Sequence, residues 1–521
     1  MISKDRYTKR AAALAGAATL VLLTAPAKAD DYTDLLDILR AKGTITQDEF
    51  RTLAARHRGT AAPARGTRAE RQTRASRSAP ATEDAATEAR RSAADAAASA
   101  AAAQAAMQTA KTTMEAGRDS YVQAMPYTPG KGVTIRVGQV DLNFSGFVNG
   151  FYTYTSAGNG RRTVAGGLSD NSGFDSSSVR NGLLPAALIF KASTTQNGID
   201  LAAVFGVYPG INSSNTTPLG ANSGGHPVGL ATAGVDFRQI YITAGTPAAG
   251  TVKVGRDIGI FGSDAILSDA TLLGVGGTGG NANPANTSLG RIGLGYIYAD
   301  FMPQISYASP TFAGIQGTVG VFQPLDEFNF SGLSGTSTAH NTPMFQGKLT
   351  YDYKAGSTAV RLWTSGLVQP QQAVTLGAGT AATRDILAGA FDVGAKADLG
   401  PFGLVASYYR GSGVGTTALF FDGVDRGGHP RRSDGFYVQG SWKPIPDLKL
   451  VASYGQSNLY ATHSEFSPAL VRTNESEIGG VYYSLTKWLT LVGEYAHVQA
   501  RARNRNTATE NSFTAGGILF F

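Results

Sequence analysis

The chain of 521 residues contains no cysteine. This absence excludes disulfide bonds, thiolate nucleophiles and thiolate metal ligands, so the fold must be stabilised by backbone hydrogen bonding and packing. Histidine is scarce, because only six are scattered along the chain and none are paired at metal-ligand spacing. The Gly-x-Ser-x-Gly nucleophile motif is missing as well. We therefore expect no metal, no cofactor and no enzyme.

Long apolar runs are missing beyond the first 29 residues. A basic stretch at positions 4–10 precedes an apolar run at 11–23, and Ala27-Lys28-Ala29 supplies a small-x-small cleavage site. This pattern predicts a signal peptide at residues 1–29. No later run approaches the roughly 18 apolar residues that a transmembrane helix requires. Residence in a membrane would therefore require a closed barrel.

The bulk of the chain also lacks an excess of charge of either sign. The formal net charge is +7 and the isoelectric point is about 9.3. Residues 132–521 nevertheless carry 25 basic and 24 acidic side chains. The basic balance therefore arises near the N-terminus, and we predict no nucleic-acid partner.

Three segments of different composition lie between the signal peptide and residue 132. Residues 30–57 predict a helical hairpin, because a capping box follows a helix that ends at Gly43. Residues 58–80 form an Arg-rich linker. Residues 81–118 are rich in alanine and predict a helix, for which a coiled coil is one interpretation.

From about residue 132 the chain consists of short segments in which apolar and polar residues alternate, such as 345–351, 391–397 and 436–443. Period-2 alternation indicates strands with one apolar face and one polar face. The connections alternate between short turns and long polar loops, which is typical of a transmembrane barrel and not of a soluble sandwich.

The alternation predicts sixteen strands. They lie near residues 140–155, 183–194, 199–208, 235–244, 251–256, 293–308, 315–322, 344–353, 358–368, 384–397, 403–410, 433–443, 448–458, 475–485, 489–500 and 511–521. An even number allows antiparallel closure, and sixteen strands leave room for an aqueous channel. The predicted fold is all-β, a sixteen-stranded antiparallel transmembrane β-barrel at 132–521 with an N-terminal periplasmic helical segment.

Several stretches resemble the general porins of Gram-negative bacteria. DFRQIYI at 236–242 and VKVGRD at 252–257 are similar to their fourth and fifth strands, and ISYASP at 305–310 is similar to their sixth strand. The stretch LLDILRAKGTITQDEF near the N-terminus resembles the segment that precedes the barrel in phosphate-selective porins. The resemblance implies an outer-membrane homotrimer, in contact with outer-membrane lipids, that passes small hydrophilic solutes and ions. Phe521 resembles the terminal aromatic that the barrel assembly machinery recognises.

In that family the loop after strand five folds into the barrel, and its acidic residues face basic residues on the wall. The resemblance places this loop at 258–289. Its predicted acids are Asp264 and Asp269, with Asp257 at its base. The predicted wall bases are Arg238, Arg256 and Arg291, and strand parity adds Lys191 and Arg361 as further lumen candidates. Such opposed charges would create a transverse field that sorts solutes. Because the lumen charge is nearly balanced and the loop is rich in glycine and poor in acid, we expect no strong ion selectivity.

Residues 274–279, GVGGTG, formally match a dinucleotide-binding fingerprint. That motif must open a helix, whereas the following GNANP cannot form one, so we interpret the stretch as a loop. Passive diffusion of small solutes is therefore the leading hypothesis. A substrate-specific channel for phosphate, carboxylates or sugars and a structural or adhesive barrel are the alternatives.

Overall fold

A computed structural model describes residues 94, 97–109, 122–158, 163–170, 172–211, 235–279, 287–372, 385–463 and 465–521. The predicted signal peptide, helical hairpin and Arg-rich linker lie outside these residues. Residues 97–109 are helical (α1), within the predicted Ala-rich helix. Among the described residues, no helix is long and apolar enough to span a membrane.

Nineteen strands form in the described residues. They are β1 (Val122–Ala124), β2 (Val133–Val137), β3 (Val140–Ala157), β4 (Ser176–Arg180), β5 (Ala187–Gln196), β6 (Ile199–Pro209), β7 (Val235–Thr246), β8 (Gly250–Ile258), β9 (Phe301–Ala308), β10 (Ile315–Phe322), β11 (Met344–Ala355), β12 (Thr358–Gln371), β13 (Ile386–Leu399), β14 (Phe402–Ser412), β15 (Arg432–Ile445), β16 (Leu448–Leu459), β17 (Val471–Ser484), β18 (Leu489–Ala502) and β19 (Thr507–Phe520).

Sixteen of these strands close into an antiparallel barrel. Each of β5 to β18 pairs with the next strand along the chain, β3 pairs with β5, and the last strand β19 returns to β3. Glu510 lies opposite Ala157 at one end of the closing pair, and Phe520 lies opposite Phe147 at the other. The predicted sixteen-stranded barrel is confirmed.

The three further strands extend the first barrel strand. β1 pairs with β2, and β2 pairs with residues 140–144 at the start of β3, where Val133 lies opposite Phe144. β4 pairs with residues 151–155 in the second half of β3. None of the three was predicted. The predicted strand at 293–308 is wrong over 293–300, because β9 begins only at Phe301.

The two faces of the wall differ as the alternation predicts. On β11, Phe345, Leu349 and Tyr351 are exposed on the outer face. Gln346 and Thr350 alternate with them and are buried. Large apolar side chains therefore cover the outside of the barrel, and polar side chains point inward.

An apolar core lies inside the barrel, where a wide pore would contain only water. One cluster joins Trp363 and Tyr437 on the wall to Ile266 and Leu294 between β8 and β9. The loops at 323–343 and 413–431 add to this packing, since the backbone N–H of Phe328 donates to Phe420 O over 3.0 Å. The loops above the strands therefore fill a large part of the lumen.

Candidate functional site

Residues 259–279 and 287–300, called the inward segment here, lie between β8 and β9 and cross the lumen. The segment contains a short helix, α2 (Ser263–Ser268), and a 3₁₀ turn (Ala270–Leu273). Its first contact with the wall is at β11, where Gln346 Oε1 accepts hydrogen bonds from the backbone N–H groups of Ile260 (2.7 Å) and Phe261 (2.9 Å). The predicted loop at 258–289 folds inward as expected and is longer than predicted.

The middle of the inward segment is held by β15. Tyr437 Oη donates to Ala265 O over 2.7 Å, and Gln439 Oε1 accepts from the backbone N–H of Ala270 over 2.8 Å. Gln439 Nε2 also donates to Ser268 O over 3.2 Å. Both wall residues point inward from one strand, so they fix α2 and the turn that follows it.

Two buried glutamates on the wall hold the glycine-rich part of the segment. Glu494 Oε2, on β18, accepts from the backbone N–H groups of Val275 (2.6 Å) and Gly276 (3.0 Å). Glu510 Oε1, on β19, accepts from both the backbone N–H and the hydroxyl of Thr278 over 3.1 Å. The backbone of the segment is thus fastened by wall carboxylates.

Glycine is required where the segment passes Glu494. A Cβ atom at Gly274 would lie 2.1 Å from Glu494 Oε1. Gly276 has a φ of +59°, in the left-handed region that residues with a side chain rarely adopt. The glycine richness of the predicted loop therefore exposes its N–H groups to the wall carboxylates.

Sequence reasoning missed Glu494 and Glu510, since it sought acids on the loop and bases on the wall. Here the carboxylates are on the wall and the partners are loop backbone donors. The available signal was a glutamate at an inward-facing position of a late strand together with a glycine-rich loop.

The predicted loop acid Asp264 does face basic wall residues. Its carboxylate lies 2.7 Å from Lys348 Nζ on β11 and 2.7 Å from Arg361 Nε on β12. Arg361 also contacts Asp352 on β11 over 2.8 Å. The predicted lumen position of Arg361 is therefore consistent with the structure, although its charge is balanced by two carboxylates.

The other predicted loop acid, Asp269, is directed into the segment itself. Its carboxylate accepts from the N–H (3.1 Å) and hydroxyl (2.6 Å) of Thr271 and from Tyr296 Oη (2.9 Å). Arg291 Nε lies 3.8 Å away. Asp269 therefore caps the 3₁₀ turn and does not face a basic residue on the wall.

Arg291 belongs to the inward segment, whereas the sequence placed it on the wall beyond a shorter loop. The side chain is fully buried. Its guanidinium donates to Ser476 Oγ (2.9 Å) and Ser453 Oγ (2.7 Å) and lies over the Tyr437 ring. Arg291 thus links the segment to β16 and β17 and is not in contact with lumen water.

Arg238 lies on the opposite side of the lumen, on β7. Its Nε contacts Asp236 Oδ2 over 2.6 Å, and the guanidinium lies 5.7 Å from the centre of the Tyr208 ring and 5.6 Å from that of Phe301. It lines a cavity of about 70 Å³ between the wall and the inward segment. The other lining residues are mostly apolar: Leu183, Leu184, Ile258, Ile266, Leu267, Leu272, Thr287, Ile292, Tyr298 and Phe301.

A family model for the Gram-negative porins matches residues 91–503, most of the chain. This chain belongs to the Gram-negative porin family. No curated protein matches it.

Two solved structures of outer-membrane proteins are similar to this porin. The outer-membrane channel DcaP of Acinetobacter baumannii is 17% identical, with a TM-score of 0.54 over 73% of this chain and 97% of DcaP. An anion-selective porin from Comamonas acidovorans is 13% identical, with a TM-score of 0.48 over 73% of this chain and all of that one.

The porin is therefore an outer-membrane channel for the diffusion of small solutes. Its family and fold indicate a channel rather than an enzyme. Among the described residues, no group of three or more His, Cys, Asp or Glu side chains is placed to hold a metal ion.

Lys191, on β5 of the porin, is exposed within the lumen. In register it lies opposite Asn143 and Val204, whereas its neighbour Phe190 packs with outer-face aromatics. Arg256 differs, because it lies opposite Ile240 and Pro303 in the row of outer-face side chains. Its guanidinium donates to Phe301 O. The register therefore supports a lumen position for Lys191 and not for Arg256.

Asp257 lies within β8 and so belongs to the wall of the porin. It is buried, and it accepts hydrogen bonds from Lys253 Nζ and from Gln239 Nε2 (2.9 Å). All its partners are on the same wall, so it does not oppose a basic residue across the lumen. The sequence had placed it at the base of the loop.

Phe521 closes the barrel against the first strand. Its N–H donates to Gly146 O over 3.0 Å, and its carbonyl accepts from the Gly146 N–H over 3.1 Å. Recognition of this residue by the assembly machinery stays a prediction.

Proposed function

We propose that solutes cross the lumen of this porin between the inward segment and the wall formed by β5–β8, called the facing wall here. The observation that carries the proposal is the distribution of hydrogen bonds. The described parts of the inward segment bond to β11, β12, β15–β19 and β3, and within the described residues none of these bonds reaches the facing wall.

Exposure of side chains supports the same path. Leu267, on α2, is 57% exposed even though its neighbour Ile266 is buried. Lys191 is exposed on the facing wall. Asp264 and Asp269 are occupied by other partners. The path therefore has the exposed basic group of Lys191 on the wall and apolar groups on the loop, and we propose a weak preference for anions.

The absence of cysteine provides a clean test of the path. Leu267→Cys and Lys191→Cys are expected to react with a charged methanethiosulfonate reagent and to lower the single-channel conductance in a planar bilayer. Ala496→Cys, inward on β18 and only 1% exposed, is the control and is expected not to react. A block at Ala496→Cys without any effect at Leu267→Cys would reject the proposed path.

Ion selectivity tests the charge of the path. In a salt gradient, Lys191→Ala is expected to move the reversal potential toward cations, because this side chain is exposed on the path. Arg238→Ala is expected to have a smaller effect, because Arg238 is buried and paired with Asp236. Arg256→Ala is the matched control, since the register places it on the outer face. A shift with Arg256→Ala alone would place the path elsewhere.

The cavity beside Arg238 favours a second candidate function, a channel selective for small carboxylates that carry an apolar group. A guanidinium next to apolar side chains would bind the carboxylate and the alkyl part together. Butyrate is then expected to interrupt the current more often than butanol does, and Arg238→Ala is expected to remove the difference. Equal effects of the two compounds would reject the carboxylate-selective channel and leave passive diffusion as the one proposed function.

A homotrimer, which the family resemblance implies, is also part of the proposed function. Native mass spectrometry of the porin in detergent tests it directly. A mass of one chain would reject it.

A further inference from the structure

Two long loops, residues 323–343 after β10 and residues 413–431 after β14, are fastened to each other and are called the paired loops here. The backbone N–H of Phe328 donates to Phe420 O over 3.0 Å, and that of Asp422 donates to Phe328 O over 2.9 Å. Both loops contribute side chains to an apolar cluster inside the lumen. Their contact therefore helps to set how much of the lumen is filled.

A buried glutamate lies at the contact between the paired loops. Glu327 is 2% exposed, and its backbone N–H donates to Ser337 O over 3.0 Å. Its carboxyl group lies against the other loop, because a Cβ atom at Gly423 would be 2.8 Å from Glu327 Oε2. Among the described residues, neither carboxyl oxygen accepts a hydrogen bond of ordinary geometry. Burial without donors is far more costly for an ionised carboxyl group than for a neutral one.

The positive charge that acts on Glu327 belongs to Arg431, whose donors are all in use. Arg431 is fully buried. A guanidinium group has five N–H donors. All five donate to other acceptors, which are Glu465 Oε1 and Oε2, Ser334 Oγ, Asp422 O and Leu333 O. Arg431 therefore has no donor left for Glu327, and its charge is shared with Glu465.

Asp422 adds a second carboxyl group that acts on Glu327. The Asp422 carboxylate accepts from the N–H (3.1 Å) and hydroxyl (2.7 Å) of Ser331 and from Ser334 Oγ (2.6 Å). These bonds favour the ionised form of Asp422. An ionised Glu327 would face this like charge without hydrogen bonds of its own. The contact between the loops thus favours a neutral Glu327.

The pKa of Glu327 changes when the paired loops separate. In the closed arrangement, burial raises this pKa well above its ordinary value of 4.5. The charge of Arg431 lowers the pKa, the Asp422 carboxylate raises it, and a weak interaction with the Gly423 backbone lowers it. In separated loops Glu327 would be in water, where a glutamate ionises near a pH of about 4.3.

We propose that Glu327 is a pH-dependent switch of the paired loops: its neutral carboxyl group permits their contact, and its ionisation in water favours their separation. A carboxyl group with a raised pKa in the closed state stabilises that state fully below its pKa in water, and this contribution is lost as the pH rises toward the closed-state value. The separated fraction should therefore rise about tenfold for each pH unit above about 4.3, until the closed-state pKa is reached. The inference does not depend on where solutes cross the lumen.

Further titratable side chains of the paired loops and of their surroundings form ion pairs. They are Asp326 with His340, Asp425 with His429, and Glu465 with Arg503. Titration of these groups would also act on the loops. The test therefore compares the parent chain with a variant that lacks only the carboxyl group of Glu327.

Cysteine accessibility in the full chain, which has no cysteine of its own, tests the switch. Val424→Cys is the buried probe, because Val424 is 0% exposed within the paired loops. Phe466→Cys, at a position that is 91% exposed, is the reference. The ratio of their labelling rates with a maleimide removes the pH dependence of the thiol group itself. From pH 5 to pH 8 we expect this ratio to rise at least about tenfold.

The Glu327→Gln variant assigns the rise to this carboxyl group. Glutamine has nearly the shape of the neutral glutamate and cannot ionise, so the ratio should stay constant within about twofold over the same range. Glu477→Gln is the matched control, because it removes an exposed carboxyl group on β17 and should leave the rise unchanged. Ala418→Cys, which is also 0% exposed within the paired loops, repeats the measurement with a second buried probe.

Two outcomes would overturn the inference. A ratio that does not change between pH 5 and pH 8 with either buried probe would show that ionisation of Glu327 does not separate the loops. A rise in Glu327→Gln as large as that in the parent chain would assign the pH dependence to another group.

Discussion

The two sides of the lumen are lined by different chemistry. From β11 to β19 and on to β3, called the anchored wall here, side chains such as Gln346, Gln439 and Glu494 accept hydrogen bonds from the backbone of the inward segment. On the facing wall, Lys191 is exposed, and Arg238 lines a narrow cavity whose other lining side chains are mostly apolar. One side therefore positions the segment, and the other is the side along which we propose that solutes cross.

This difference shows that a charged residue inside a pore need not act on solutes. Glu494 and Glu510 are buried, and their oxygens are occupied by backbone N–H groups. Arg291 is equally buried against two serines. Such groups contribute to the shape of the pore through hydrogen bonding, while only water-exposed charges contribute to its selectivity.

Removal of the anchors should have the largest effect. Glu494→Ala together with Glu510→Ala leaves the N–H groups of Val275, Gly276 and Thr278 without acceptors, at a cost of about 1–3 kcal/mol for each buried group. We expect the segment to detach from β18 and β19 and the lumen to widen. Single-channel recordings should then show higher conductance and more open-channel noise.

The conservative variants provide the control for this prediction. Glu494→Gln and Glu510→Gln each keep one acceptor oxygen for the N–H groups of the segment and lose the charge and the second acceptor oxygen, so they should have a smaller effect than the alanine variants. Unchanged conductance of the double alanine variant, in a barrel that still folds, would show that the anchored wall does not position the segment.

The strand count and the place of the inward loop could be predicted from the sequence, because alternation and connection lengths report directly on the barrel. The end of the loop could not. Gly293, Leu294, Gly295 and Tyr296 alternate as a strand does, but both the small and the large residues are buried inside the lumen. Period-2 alternation cannot separate the two cases.

The sequence does not show either that the loop donates, and the wall accepts, the hydrogen bonds that hold the inward segment. A glycine-rich loop shows few side chains, so its N–H donors do not appear in a search for charged pairs. Asp264 and Arg361, in contrast, were both predicted, because opposite charges on the loop and the wall are visible in the sequence. The structure places the two side chains 2.7 Å apart.

Neutralising Asp264 should have an intermediate effect. Asp264→Asn leaves Lys348 without its 2.7 Å partner and leaves Arg361 with Asp352 alone. We expect a loss of about 1–3 kcal/mol in the free energy of unfolding, because bonds to charged groups are lost. The added positive charge should also move the reversal potential toward anions.

A double variant separates the two effects of Asp264. Adding Lys348→Met to Asp264→Asn restores the charge balance, so the reversal potential should return toward that of the parent while stability stays reduced. A shift that persists in the double variant would mean that Asp264 acts on selectivity through the shape of the segment.

Acid should have the smallest effect near neutrality, and it tests the loops above the anchored wall. Glu465 lies 2.6 Å from Arg431 Nη2 and 2.9 Å from Arg503 Nη1. Burial alone would raise the pKa of Glu465, but its bonds and ion pairs with the two arginines outweigh burial and lower that pKa from 4.5 to about 2.

A carboxyl group with a lowered folded-state pKa stabilises the fold fully above its unfolded pKa, and this contribution is lost as the pH falls toward the folded value. The ion pairs of Glu465 should therefore hold the loops unchanged from pH 7 to about 5 and weaken progressively between about 4.5 and 2. Pepsin, added at steps from pH 4.5 to pH 2, should nick the loops around 413–431 and 460–470 only toward the acid end. Glu465→Gln cannot titrate, so its nicking should be nearly independent of pH in this range; a parent chain already nicked at pH 4.5 would show that this ion pair does not fasten the outer loops.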